Sequence, residues 1–151
     1  MEKIIFDSGV KEYQINENGV LRFNPSDPNV YARFLDAAEQ IQTIEKDMVE
    51  QGAALSKEEN NGEAVIRYIH EADRKVKELL GWVFGPGNDF DQMLGGVNLM
   101  AVAGNGERVI TNLLDALLPI IEKGAQDCSK QQISDAVHQA KKNRAARRAE
   151  K

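Results

Sequence analysis

The sequence predicts an α+β fold, mainly α: a small N-terminal antiparallel β-hairpin packed on a bundle of about four helices. Three observations carry this expectation. β-prone residues crowd the stretch before Asn24, two later stretches repeat apolar residues at heptad spacing, and Pro/Gly clusters separate the pieces.

The strands come first. Ile4, Ile5 and Phe6 form a short β-prone run closed by Asp7-Ser8-Gly9. Val10, Tyr13 and Ile15 then face Val20, Leu21 and Phe23 across Asn16-Glu17-Asn18-Gly19. Asn18-Gly19 tolerates positive φ and reads as the hairpin turn, so two or three antiparallel strands are expected. A lone hairpin is marginal in water and must pack on something.

Phe23-Asn24-Pro25-Ser26-Asp27-Pro28 ends the strand and starts a helix, with Asp27 placed to cap and Pro28 at the first helical position. Val30, Phe34, Ala37, Ile41, Ile44 and Met48 follow at spacings of 4, 3, 4, 3 and 4. Gly52 and the polar stretch from Ser56 to Gly62 interrupt the seam. Ser56-Lys57-Glu58-Glu59 offers a capping box for a second helix. Val65, Ile69, Ala72, Val76, Leu79 and Val83 repeat the same spacing. Two seams joined by a polar link predict an antiparallel helical hairpin, favoured over an intermolecular coiled coil.

Gly85-Pro86-Gly87 stops the second helix, and Asn88 or Asp89 is placed to cap a short third one. The apolar, glycine-rich and uncharged stretch from Gly95 to Gly106 fits a buried crossover or a loop lying against a partner. A helix then begins near Asn105 and carries apolar residues around much of its circumference from Val109 to Ile121, with Pro119 expected to kink it and Gly124 to end it. Ser129-Lys130-Gln131-Gln132 opens a last helix. The expected organisation is a single domain over 1–140, comprising a β-hairpin region (1–24), a helical core (27–124) and a last helix (129–140), followed by a basic tail (141–151).

Charge sharpens that boundary. The net charge of -5 conceals a split: residues 141–151 hold six basic side chains and one acid, whereas residues 1–140 hold 13 basic and 23 acidic ones. The acidic body would repel phosphates, which disfavours nucleic acid over most of the surface. Lys141, Lys142, Arg144, Arg147 and Arg148 remain candidates for contact with a charged partner, although cations also suit a helix C-terminus.

Catalytic patterns are missing. His70-Glu71-Ala72-Asp73-Arg74 has Arg74 where a metalloprotease string needs its second His. Gly104-Asn105-Gly106 precedes a helix, but Val109 stands where a dinucleotide fingerprint needs Gly. The lone Cys128 excludes an intramolecular disulfide. No enzyme, cofactor or metal site is expected. The N-terminus lacks a secretory pattern and no run reaches roughly 20 apolar residues, so a soluble cytoplasmic protein without membrane contact is expected.

Taken together, Phe23-Asn24-Pro25-Ser26-Asp27-Pro28-Asn29 after a hairpin, a long helical pair ending at Phe84-Gly85, Gly95-Gly96-Val97-Asn98, an apolar helix and an Arg/Lys-rich end resemble a family of small proteins from tail-morphogenesis modules of bacteriophages and Gram-positive prophages. The resemblance covers most of the chain. It implies a tail assembly chaperone in the bacterial host cytoplasm, one that binds the tape-measure protein, helps recruit tail-tube protein and self-associates. In that family a longer form often arises by ribosomal frameshifting. The expected client surface is Gly95, Gly96, Val97, Leu99 and Met100 with Leu113 and Leu117, for which a plain core role is the favoured alternative. The alternative function is a nucleic-acid-associated or regulatory protein using the basic tail.

Overall fold

The computed structural model describes residues 1–57 and 62–149. Its elements run β1 (Lys11–Ile15), β2 (Gly19–Phe23), α1 (Pro28–Ser56), α2 (Gly62–Phe84), α3 (Phe90–Met93) and α4 (Val109–Ala149). This is the mainly helical α+β architecture expected.

β1 and β2 pair antiparallel, with Lys11 opposite Phe23 and Ile15 opposite Gly19. Residues 1–10 form no strand, so Ile4-Ile5-Phe6 does not join this sheet. The hairpin turn also differs from the Asn18-Gly19 expectation. Positive φ falls at Asn16, the Asn18 N–H closes the turn on the Ile15 carbonyl at 3.2 Å, and Gly19 already lies in β2. Gly19 is small for another reason: a Cβ there would lie 2.9 Å from the Met93 Cα.

Leu21 and Phe23 point from β2 into the core, where Tyr13, Phe23, Phe84 and Phe90 stack in sequence with ring centroids 5.3, 4.8 and 5.7 Å apart. That aromatic chain fastens the hairpin to the end of α2 and to α3. Asp27 caps α1 by accepting from the Asn29 N–H at 2.9 Å, as its position beside Pro28 predicts.

α1 and α2 form the antiparallel hairpin, the start of α1 meeting the end of α2 where Arg33 Nε donates to the Val83 carbonyl at 3.1 Å. Of the α1 seam only Ile44 is incompletely buried. On α2 the buried line passes through Ala72, Val76, Leu80 and Val83, so Leu80 rather than Leu79 fills the core. Gly52 does not interrupt α1, which continues to Ser56; a single glycine costs only about 1 kcal/mol in a helix. Ser56 therefore ends α1 instead of opening a capping box, and Glu58 and Glu59 lie outside the described residues.

The expected start near Asn105, break at Gly124 and new helix at Ser129 are also corrected. Asn105 sits in a turn between Val102 and Arg108, which form an isolated β-bridge, and α4 begins at Val109. It then runs unbroken through Pro119, Gly124 and Ser129. Gly124 is glycine because α4 crosses the Pro25-Ser26 link there: a Cβ at 124 would overlap the Pro25 carbonyl oxygen. Among the described residues Ile110, Leu117 and Ile121 are the buried large apolar side chains of α4, and Leu118 is exposed, so its apolar ring is only partly enclosed. Every described side chain from Ser129 to Arg148 is exposed, so this end projects as bare helix for roughly 30 Å at 1.5 Å per residue.

At an open helix position Gly124→Ala would stabilise by about 1 kcal/mol. The Pro25 crossing reverses the sign, and urea unfolding is expected to show a loss of about 1–3 kcal/mol from overpacking.

Candidate helix-binding groove and its polar supports

The sequence-derived client surface separates into two groups. Leu99, Met100 and Leu117 are core residues, and Leu113 packs half-buried against them. Only Gly95, Gly96 and Val97 are exposed, and Gly95 lies against the Asn18 side chain. The core alternative describes most of this segment. Lys141, Lys142, Arg144, Arg147 and Arg148 are all exposed near the end of α4.

A different surface is concave and apolar. Along the outside of the α1–α2 pair, a depression of about 330 Å³ is lined by Gln40, Ile44, Lys75, Glu78, Leu79 and Trp82. A smaller depression lined by Ile44, Asp47, Tyr68, Glu71, Ala72 and Lys75 continues it toward the start of α2, sharing Ile44 and Lys75. Tyr68, Ala72, Lys75, Leu79 and Trp82 thus form a second stripe at spacings of 4, 3, 4 and 3, which shares Ala72 with the buried line and otherwise runs beside it. Trp82 retains 49% of its surface exposed, an unusual position for the sole tryptophan. The rim is mixed but predominantly acidic: Asp47, Glu71 and Glu78 flank Lys75.

On the α2–α3 side, a cleft of about 430 Å³ is lined by His70, Asp73, Arg74, Lys77, Glu78, Asn88, Asp89, Phe90 and Asp91. Three of its charges, Asp73, Lys77 and Asp91, are occupied by one another. The Lys77 Nζ lies 2.9 Å from Asp73 Oδ2 and 2.6 Å from Asp91 Oδ1, with the Lys77 and Asp73 side chains only 9% and 8% exposed. The other oxygen of Asp73 accepts the Leu99 N–H at 2.7 Å. Asp73 therefore anchors the segment after α3 to the middle of α2, and Lys77 ties down α3 itself. Burial alone would lower the Lys77 pKa. Its hydrogen bonds to Asp91 and Asp73, with the attraction of both carboxylates, outweigh burial and raise it above the ordinary 10.5. The hydrogen bond and charge of Lys77, helped by His70, hold the Asp91 carboxyl below its usual 3.8 against a small opposing effect of desolvation.

Asn88 completes the support. Its side-chain carbonyl accepts the Arg22 N–H and its amide donates to the Arg22 carbonyl, both at 2.8 Å, so one side chain occupies the outer edge of β2 as a neighbouring strand would. Asp89 caps α3 by accepting from the Asp91 and Gln92 N–H groups. The sequence placed a cap at Asn88 or Asp89 but held no signal for the edge clamp, which depends on the tertiary approach of α2 to β2.

Among the described residues no group of three or more His, Cys, Asp or Glu side chains is placed to hold a metal ion, and no helix is long and apolar enough to cross a membrane. No protein family, no curated protein and no solved structure matches the chain.

Asp73→Ala would orphan the Leu99 N–H and remove one of the two Lys77 partners, so unfolding free energy should fall by about 3 kcal/mol. For the Lys77–Asp91 pair the pH signs oppose. The raised Lys77 pKa stabilises the fold fully below about 10.5 and is lost as pH rises through its folded value. The lowered Asp91 pKa stabilises fully above 3.8 and is lost as pH falls through its folded value. The stability difference between wild type and Asp91→Asn should accordingly be flat between about pH 5 and pH 9 and shrink on either side, as read by urea titrations across pH.

Proposed function

We propose that this protein is a non-enzymatic assembly chaperone of the phage-tail type, which binds amphipathic helices of a tape-measure protein in the bacterial cytoplasm and assists tail-tube assembly. The observation that carries the reading is the open apolar groove on the α1–α2 pair, where Tyr68, Leu79 and Trp82 of α2 and Ile44 of α1 offer apolar surface that the chain's own elements leave partly uncovered. Two packed helices with such a strip accept a third helix by ridges-into-grooves packing. The acidic rim favours a client helix carrying Lys or Arg beside its apolar stripe and helps keep the complex in solution. The resemblance at Phe23-Asn24-Pro25-Ser26-Asp27-Pro28 and along the helical pair supports a tail-assembly client.

A nucleic-acid-associated role is favoured by a single observation, the exposed Lys141, Lys142, Arg144, Arg147 and Arg148 on the projecting end of α4. It has no interleaved aromatic residue for base stacking. Truncation after Ala140 should leave client binding unchanged. Salt-sensitive duplex binding that vanishes on truncation would instead establish the nucleic-acid reading.

On co-expression, a tape-measure fragment should become soluble and co-purify with the wild-type chain. Trp82→Glu places charge in the groove at an exposed position, and Leu79→Glu does so at a half-buried one that also packs on the core. Compared at matched folded fraction by circular dichroism, each should weaken the complex by at least about tenfold, or about 1.4 kcal/mol. A fragment that stays insoluble with the wild type, or binds both variants equally, counts against the groove.

A further inference from the structure

Residues 1–7 form an arm with no cover of its own. Ile4, Ile5 and Phe6 are consecutive and expose 90%, 87% and 75% of their surface. The arm is nevertheless rooted, because Asn24 Nδ2 donates to the Ser8 carbonyl at 3.1 Å and the Gly9 N–H donates to Asp7 Oδ1 at 2.8 Å.

The two edges of the hairpin differ. β2 is closed by Asn88, which takes both backbone groups of Arg22. Since those groups point away from β1, Glu12–Arg22 is the wide, non-hydrogen-bonded kind of antiparallel pair. By alternation Glu12 and Gln14 direct their own N–H and C=O groups outward from β1, where both residues are exposed. An open edge beside an unpaired β-prone segment is a template for strand addition.

We infer that the arm of one copy adds as an antiparallel strand to the β1 edge of a second copy, joining two chains about a two-fold axis at Gly9. The register that sets Asp7 opposite Lys11 brings opposite charges together and places Ile5 opposite Tyr13, on the face that β1 turns to the core. It also sets Phe6 against Glu12 and Ile4 against Gln14, the two residues with outward backbone groups. In this register the positions of each pair sum to 18, so the arm-to-edge and edge-to-arm pairings share one dyad and the contact is isologous. The chain's own arm does not pair with its own edge: the Ser8 carbonyl accepts from Asn24 Nδ2 and Gly9 takes φ +75°. A second copy supplies segment and edge together, and this pairing does not depend on the identity of the client.

The full chain should sediment as a dimer or a larger even-numbered assembly. Deletion of residues 2–7 removes the added strand, and Gln14→Pro removes an outward donor from an edge strand that tolerates proline. Both variants should be monomers with the wild-type circular dichroism. In a Cys128→Ser background, oxidation of mixed Asp7→Cys and Lys11→Cys chains should give a D7C–K11C heterodimer faster than either chain couples to itself. A monomeric full chain, an assembly that persists in either variant, or unselective coupling would overturn the inference.

Discussion

Burial of the apolar seam between α1 and α2 is the constraint on which the other elements depend. The hairpin is too small to stand alone, and it is held because Phe23 meets Phe84 at the end of that pair. Single-turn α3 is kept in place by Asp91 reaching Lys77, and the following segment by Asp73, both on α2. α4 packs on α1 and crosses the link that leads into it at Gly124. Loosening the seam would free every attachment together, so unfolding should be cooperative across the body, with the projecting end of α4 outside that unit.

Much of this was legible in the sequence where physics is local. Asp27-Pro28 marked the start of α1, Gly85 the end of α2 and Asp89 the cap of α3, because capping and φ preferences act over a few residues. Most seam residues emerged from periodicity; Leu79 stood in for Leu80, since a wide apolar face on α2 carries two adjacent stripes, and Val65 lies outside the core cluster. Glycines misled more. Gly52, Gly124 and Gly19 resemble punctuation in a sequence, yet Gly52 is simply tolerated and the other two permit close backbone approach. Close approach is a tertiary property, and spacing along the chain does not encode it.

The candidate site was less legible for a related reason. The uncharged run ending at Gly106 stands out by composition, but its large residues Leu99 and Met100 close the core. The groove lies where composition is ordinary, between charged residues on α2, and becomes visible only once α1 has covered one stripe and left Tyr68, Leu79 and Trp82 partly open. Part of the charge split takes a spatial form: Asp47, Glu71 and Glu78 rim the groove on the helix pair, and the basic residues from Lys141 to Arg148 sit on the exposed end of α4.

The central claim is that the α1–α2 groove takes up a client helix. Trp82 is the only tryptophan and lines that groove, so its fluorescence reports occupancy without a label. Titration with a tryptophan-free amphipathic tape-measure segment should shift Trp82 emission to shorter wavelength and saturate at the stoichiometry of the complex. A segment that binds, by an independent measure, while leaving Trp82 emission unchanged would contradict the account.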